Sequence, residues 1–291
     1  MISHWFQESC NEWRFGVLMR VTFTKAQAIG NDFILVEESV LRHAGIGEES
    51  YCDFSRKICD RDSGVGADGV EILLENSFSE KFDYAVRMFN PDGSEAEISG
   101  NGTRCIAAML MASKRVSESL RISTKAGVSV LKLVERDGHQ YNLQMSMESP
   151  RYKSDEIGCR LQTASGDKVV TIVDVGNPQC VLLVNDFDCE WRAIGSEIET
   201  HTRFPARTNV SFARSIDRHT IEVRFWERGA GETASSGTGS IGAAVGAILA
   251  GLCDSPVRVM TTAGDLQIQW ENGIVLTGRA ELAFQGEYLY S

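Results

Sequence analysis

Residues 95–103 read EAEISGNGT and residues 232–240 read ETASSGTGS. Each stretch carries a Glu, a short polar run, then Ser-Gly-x-Gly. Ser236 lies 137 residues after Ser99. The same offset, applied without gaps to residues 86–127, pairs Val86, Arg87, Glu95, Gly100, Gly102, Ala107, Arg121, Thr124, Ala126 and Gly127 with identical residue types at 223–264. Shared glycines and alanines alone would be weak evidence. A shared order of Val-Arg strand, Glu, glycine turn, Ala-rich helix and Arg-x-x-Thr-x-Ala-Gly strand is much stronger, because self-similarity at one offset marks a duplicated unit. A second pair agrees: Gly30-Asn31 in KAQAIGNDFILV and Gly176-Asn177 in TIVDVGNPQCVLLV both sit between apolar runs. The chain therefore reads as two homologous halves, each opening on strand, Gly-Asn turn, strand.

Each half holds one distinctive helix. CIAAMLMA (105–112) and IGAAVGAILAGL (241–252) are apolar nearly all round, and a helix with no polar face is buried on every side. Alternating segments surround both, such as FDYAVRMF and YNLQMSM in the first half and TIEVRFWE and LQIQW in the second. Alternation gives a strand one face to the core and one to water. The predicted class is α+β: two pseudo-symmetric domains, each a mostly antiparallel mixed sheet wrapped around a central buried helix. The expected division is 1–18 as a leader, 19–139 plus 280–291 as the N-terminal domain, and 140–279 as the C-terminal domain. At Met19 the text changes to the alternating MRVTFTKAQA, so residues 1–18 read as an upstream translation or a disordered leader.

Composition narrows the function. A chain of 291 residues with 43% apolar and 24% charged residues can build a full core. The net charge of −11 argues against a nucleic-acid or anionic-membrane partner, whose surfaces call for clustered Lys and Arg. No stretch is apolar for long enough to span a membrane. The eight cysteines form no C-x-x-C pair and no zinc spacing with histidine. They read as free thiols in a reducing cytoplasm. Neither a cofactor motif nor a metal site is evident.

Both Ser-Gly-x-Gly turns open a helix, where the first N–H groups lack internal partners and the dipole is positive. Such an end binds carboxylate or phosphate, and glycines let the backbone approach a ligand. Ser99 and Ser236 are also ordinary N-cap residues. Two copies on related halves favour one shared cleft. The G-x-G-x-x-G matches at Gly64 and Gly237 lack the strand that must lead directly into a dinucleotide fingerprint. Asn31, Asn90, Asn177 and Asn209 each suit a turn. Taken with Glu227, Arg228 and two helix N-termini, they suit a small zwitterion carrying carboxylates.

These stretches resemble the diaminopimelate epimerase family. The matching segments are GNDF (30–33), GVGADG (64–69), FNPDGSEAE (89–97), GNGTRC (100–105), GNP (176–178), FPARTNV (204–210), ERGAGET (227–233) and SGTGS (236–240). The resemblance implies two pseudo-symmetric domains, with the last strand RAELAFQGEYLY returning to the first. It implies a cofactor-independent isomerase of lysine and peptidoglycan precursor synthesis, which inverts the α-carbon of LL- or meso-diaminopimelate by two-base proton transfer. Substrate contacts would come from Asn31, Asn90, Gly100, Asn101, Asn177, Asn209, Glu227, Arg228, Gly237 and Thr238. Family members are often dimeric, so a homodimer is a candidate assembly.

The family's two catalytic cysteine positions hold Ser99 and Ser236, and its usual His after GNP is Gln179. A hydroxyl about five pKa units above the ~8.5 of a thiol costs on the order of 7 kcal/mol more to ionise, and serine works as an alkoxide only beside a base. Three readings follow: an epimerase whose thiols were exchanged for serine to trap a complex, a serine variant doing another isomerisation or a dehydration, and a non-catalytic amino-acid binder.

Overall fold

The structure is a computed structural model and describes residues 19–75 and 79–290. The expected leader, 1–18, lies outside the described residues.

The first half runs β1 (Met19–Ala28), β2 (Asn31–Glu37), α1 (Glu38–His43), α2 (Tyr51–Cys59), β3 (Gly69–Leu73), β4 (Tyr84–Phe89), β5 (Glu95–Ala96), α3 (Gly100–Ala112), β6 (Ser119–Thr124), β7 (Gly127–Asp137) and β8 (Gln140–Met147). The second half runs β9 (Cys159–Leu161), β10 (Lys168–Asp174), β11 (Pro178–Leu183), α4 (Trp191–Glu199), β12 (Asn209–Asp217), β13 (Thr220–Glu227), β14 (Gly231–Thr233), α5 (Gly237–Leu249), β15 (Val257–Thr261), β16 (Gly264–Trp270) and β17 (Ile274–Tyr290).

The duplication appears in the pairings. β2 and β3 pair in parallel, as do β11 and β12. β4 pairs antiparallel with β3 and β5 and parallel with β6. β13 makes the same three pairings with β12, β14 and β15. Each half is thus a mixed, mostly antiparallel sheet around one helix. Around α3 the core holds Ile106, Ala107, Leu110, Leu131 and Leu143. Around α5 it holds Ile241, Ala244, Val245, Phe225 and Leu276. The small residues of both helices let the sheet approach closely. Gly246, for example, lies against Val181. A second layer covers each sheet from outside, with α1 and α2 over Ile34 and Val70 and α4 over Leu182 and Phe212.

The helices begin earlier than their apolar runs, because Ser99 and Ser236 cap them. Each serine has an extended backbone, and its Oγ accepts a hydrogen bond from the N–H three residues on, at 3.1 Å in both cases. The glycine turns are therefore the first turns of α3 and α5. α5 also stops short of residue 252: Gly251 takes the left-handed φ of +72° that closes many helices.

The expected division after residue 139 would cut the β7–β8 hairpin. Tyr141, Leu143 and Met145 of β8 point into the core around α3, so packing puts the change of halves after β8. Strand β17 belongs to both halves. Ile274 and Leu276 lie in the second core and Ala280 in the first. Its residues 281–290 then pair with β1.

The halves meet reciprocally. The Gly30 turn of the first touches Ala263 of the second, and the Gly176 turn of the second touches Ala126 of the first. Between these contacts the helix N-termini abut: a Cβ on Gly237 would stand 3.1 Å from Gly100 Cα. A side chain there would press the two backbones apart.

Candidate active site

A cavity of about 440 Å³ opens where the two helix N-termini meet. Asn31, Asn90, Ser99 and Gly100 line it from the first half. Asn177, Asn209, Glu227, Arg228, Ser236, Gly237 and Thr238 line it from the second. Asn101 is the exception among the expected contacts. It is fully buried, and its side chain turns away from the cavity toward Asn31 and Arg104.

Local chemistry fixes each group. Asn31 follows a two-residue hairpin in which Ile29 and Gly30 both have positive φ, +54° and +75°. A β-branched residue in that region is strained, and such strain gathers at functional sites. Asn209 is clamped at the start of β12: its Nδ2 donates to the Pro178 carbonyl at 3.0 Å and its Oδ1 accepts from the Arg228 N–H at 3.0 Å. The Arg228 guanidinium crosses the cleft to Glu97 of the first half.

Two serines in equivalent places have unequal surroundings. Ser236 Oγ donates to Glu227 Oε1 at 2.6 Å, and Thr233 donates to the other carboxylate oxygen at 2.8 Å. Burial raises the Glu227 pKa, against the pull of these two bonds. Ser99 has no carboxylate acceptor among the described residues. Behind it, on β3, stands Glu71, 1% exposed and with one carboxylate oxygen unbonded. Burial pushes its pKa well above the usual carboxyl value. Its carboxyl fills the space that a Cβ on Gly102 would need.

Asp68 and Glu97 also line the cavity, and neither was singled out from the sequence as a site residue. Asp68 accepts from Asn31 Nδ2 at 2.7 Å, from the Asp32 N–H at 3.0 Å and from Arg61 at 2.8 Å. Burial nevertheless raises its pKa. Its signal was the GVGADG loop, read only as a rival nucleotide motif and as part of a family match. Gln179 is wholly buried and packs on Gly242, outside the cavity lining. Cys105 and Cys180 are buried too, and burial raises both thiols. Neither replaces the serines. Among the described residues, no cluster of three or more His, Cys, Asp or Glu could hold a metal ion.

Two abutting helix N-termini in a duplicated α+β chain form a fold that this chain shares with solved epimerases and racemases. A solved hydroxyproline epimerase from Agrobacterium vitis shares the fold, with a TM-score of 0.74 at 15% identity, covering 95% of this chain and 93% of that one. A solved methylitaconate-delta-isomerase shares it at a TM-score of 0.62 and 14% identity, over 94% and 96% of the two chains. The family model for diaminopimelate epimerase matches residues 23–153 and 171–283. The diaminopimelate epimerase of Pelotomaculum thermopropionicum is 40% identical over 282 residues, 92% of this chain and 99% of the relative. That of Microcystis aeruginosa is 37% identical over 289 residues, 93% and 99% of the two. The chain belongs to the diaminopimelate epimerase family.

Proposed function

We propose that the protein binds diaminopimelate in this cleft and moves the proton of its α-carbon without a cofactor. One observation carries the reading: two equivalent helix N-termini meet at Gly100 and Gly237, each headed by a hydroxyl that faces the shared cavity. The unpaired N–H groups favour a carboxylate, and a carboxylate held there places its α-carbon between Ser99 and Ser236. Glu227 supplies the base on one side. As a carboxylate it takes the Ser236 proton while Ser236 Oγ takes the proton from Cα, leaving a carbanion whose charge spreads into the bound carboxylate. Ser99 returns a proton on the other face, and solvent entering on product release reprotonates the Ser99 alkoxide while taking up the proton that Glu227 holds. Losing the thiols slows this by about 10⁵-fold, the rate equivalent of ~7 kcal/mol.

A second reading, amino-acid binding without turnover, is favoured by the missing base beside Ser99. A single experiment separates the two. With diaminopimelate in D₂O, loss of the Cα–H NMR signal with inversion supports the epimerase. Tight calorimetric binding without exchange supports the binder, and absence of binding refutes the substrate. The family reading extends to a cytoplasmic homodimer, which light scattering of the purified protein tests. Among the described residues, no helix is long and apolar enough to cross a membrane.

A further inference from the structure

The two pocket asparagines that follow the Gly-Asn turns, Asn31 and Asn177, are held from behind by different hardware. Arg104 is fully buried on α3 and has no acidic partner among the described residues. Burying a guanidinium unpaired is expensive. Packing does not require it, because the equivalent place on α5, at the 137-residue offset, is Ile241. Its Nη1 donates to the Gly100 carbonyl at 2.9 Å and its Nη2 to Asn101 Oδ1 at 2.6 Å.

A guanidinium only donates, so the Asn101 atom facing it must be the oxygen. The Asn101 amide nitrogen then faces Asn31, and donates to Asn31 Oδ1 at 3.2 Å. The Asn31 nitrogen is thereby turned toward the cavity side, where it donates to Asp68. Its second N–H has no protein acceptor among the described residues. In the second half Gln179 Nε2 donates to Asn177 Oδ1 at 2.8 Å, and Asn177 Nδ2 donates to Thr238 Oγ1 at 3.2 Å. Gln179 Oε1 has no partner among the described residues. Every member of that chain both donates and accepts, so it can run in either direction.

We propose that Arg104 is a specificity-setting positioning residue: acting through Asn101 from behind, with Asp68 accepting from the other end, it locks the Asn31 amide as a hydrogen-bond donor on the cleft side, whereas Asn177 carries no such lock. The first-half wall then favours a carboxylate over its carboxamide, because either carboxylate oxygen can accept from this N–H and only one atom of the carboxamide can. This deepens the proposed function and rests on it for the ligand, but the lock itself exists without ligand.

The test uses both levels. In the ligand-free, ¹⁵N-labelled protein, Arg104→Gln supplies a group that can donate or accept. Side-chain amide exchange at Asn101 and Asn31 is expected to speed up at least tenfold, with Asn177 and Gln179 unchanged. Equal acceleration of all four, or of none, would overturn the lock. Should Arg104→Gln fail to fold, Arg104→Lys keeps the charge but loses the fork, and is expected to accelerate the first pair alone by about threefold.

With ligand, the wild-type preference for diaminopimelate over the worse-binding of its two monoamides is expected to fall at least tenfold in Arg104→Gln and to recover in part in Arg104→Lys. An unchanged preference would overturn the specificity role. If the wild type binds no diaminopimelate, the substrate reading fails and the exchange rates alone decide the lock.

Discussion

Ser236 leans on a carboxylate and Ser99 does not, although the two serines cap equivalent helices with the same 3.1 Å bond. The inequality continues one layer deeper. By strand register, the place of Glu71 on β3 belongs in the second half to Ser211. Ser211 Oγ donates to the Gly239 carbonyl at 3.3 Å, whereas an oxygen of Glu71 goes unbonded. Duplication conserved the backbone frame and the helix dipoles, which position a substrate. The side chains behind that frame diverged. Proton transfer depends on those side chains, so the two faces of the cleft are chemically distinct.

The largest test restores equality at the front. Ser99→Cys with Ser236→Cys is expected to raise diaminopimelate epimerisation by about 10⁴–10⁵-fold, since a thiol at a helix N-terminus ionises near neutrality. A folded double mutant without that gain would show that the cradle is no longer competent. Next comes Glu227. Glu227→Gln removes the carboxylate that accepts from Ser236 and should lower residual Cα–H exchange about 10²–10³-fold, the span of general-base effects. In the unsubstituted protein that exchange should climb with pH as Glu227 loses its proton, with a midpoint above the ordinary carboxyl range. A flat profile would remove Glu227 from the proton path.

Glu71 gives a smaller effect of opposite sign. Its raised pKa means the folded state holds a proton that the unfolded chain releases above pH 4.5. Its stability contribution is therefore intact below that value and is lost as pH rises. Glu71→Gln should stabilise the protein at neutral pH by on the order of 1–3 kcal/mol, with the gain fading below pH 4.5 in urea melts. Ser211→Ala, which removes a satisfied bond, should cost about 1 kcal/mol at every pH. Equal responses at the two positions would erase the asymmetry.

The duplication was legible in the sequence because Ser-Gly-x-Gly and Gly-Asn are short, rigid signals at repeated offsets. The cleft was legible for the same reason, since each glycine that lets a ligand approach is visible in the text. Orientation was not. Asn101 sits in the same motif as Gly100, yet its side chain points inward because a buried guanidinium needs its oxygen. Glu71 lies within the strand GVEIL, where alternation says nothing about both faces being covered. Its burial depends on a missing side chain at Gly102, 31 residues further on. The packing of the β7–β8 hairpin was not legible for a related reason: its turn at Gly138 shows in the text, but the core that both strands share does not.

Strand β17 runs unbroken from the second core to the first, and its last residues pair with the first described strand, Met19 against Tyr290. Bringing those ends together closes a loop of almost the whole chain, which costs about 5 kcal/mol of chain entropy and puts this protein among the slow, non-local folders. β2 pairs with β1 early in synthesis, but residues 281–290 must be made before β1 gains this second neighbour. Deleting the final strand segment would leave an open sheet edge, a hazard for chain-to-chain pairing. Strand β17 thus ties the two halves into one sheet by a pairing that can form only after both have been made.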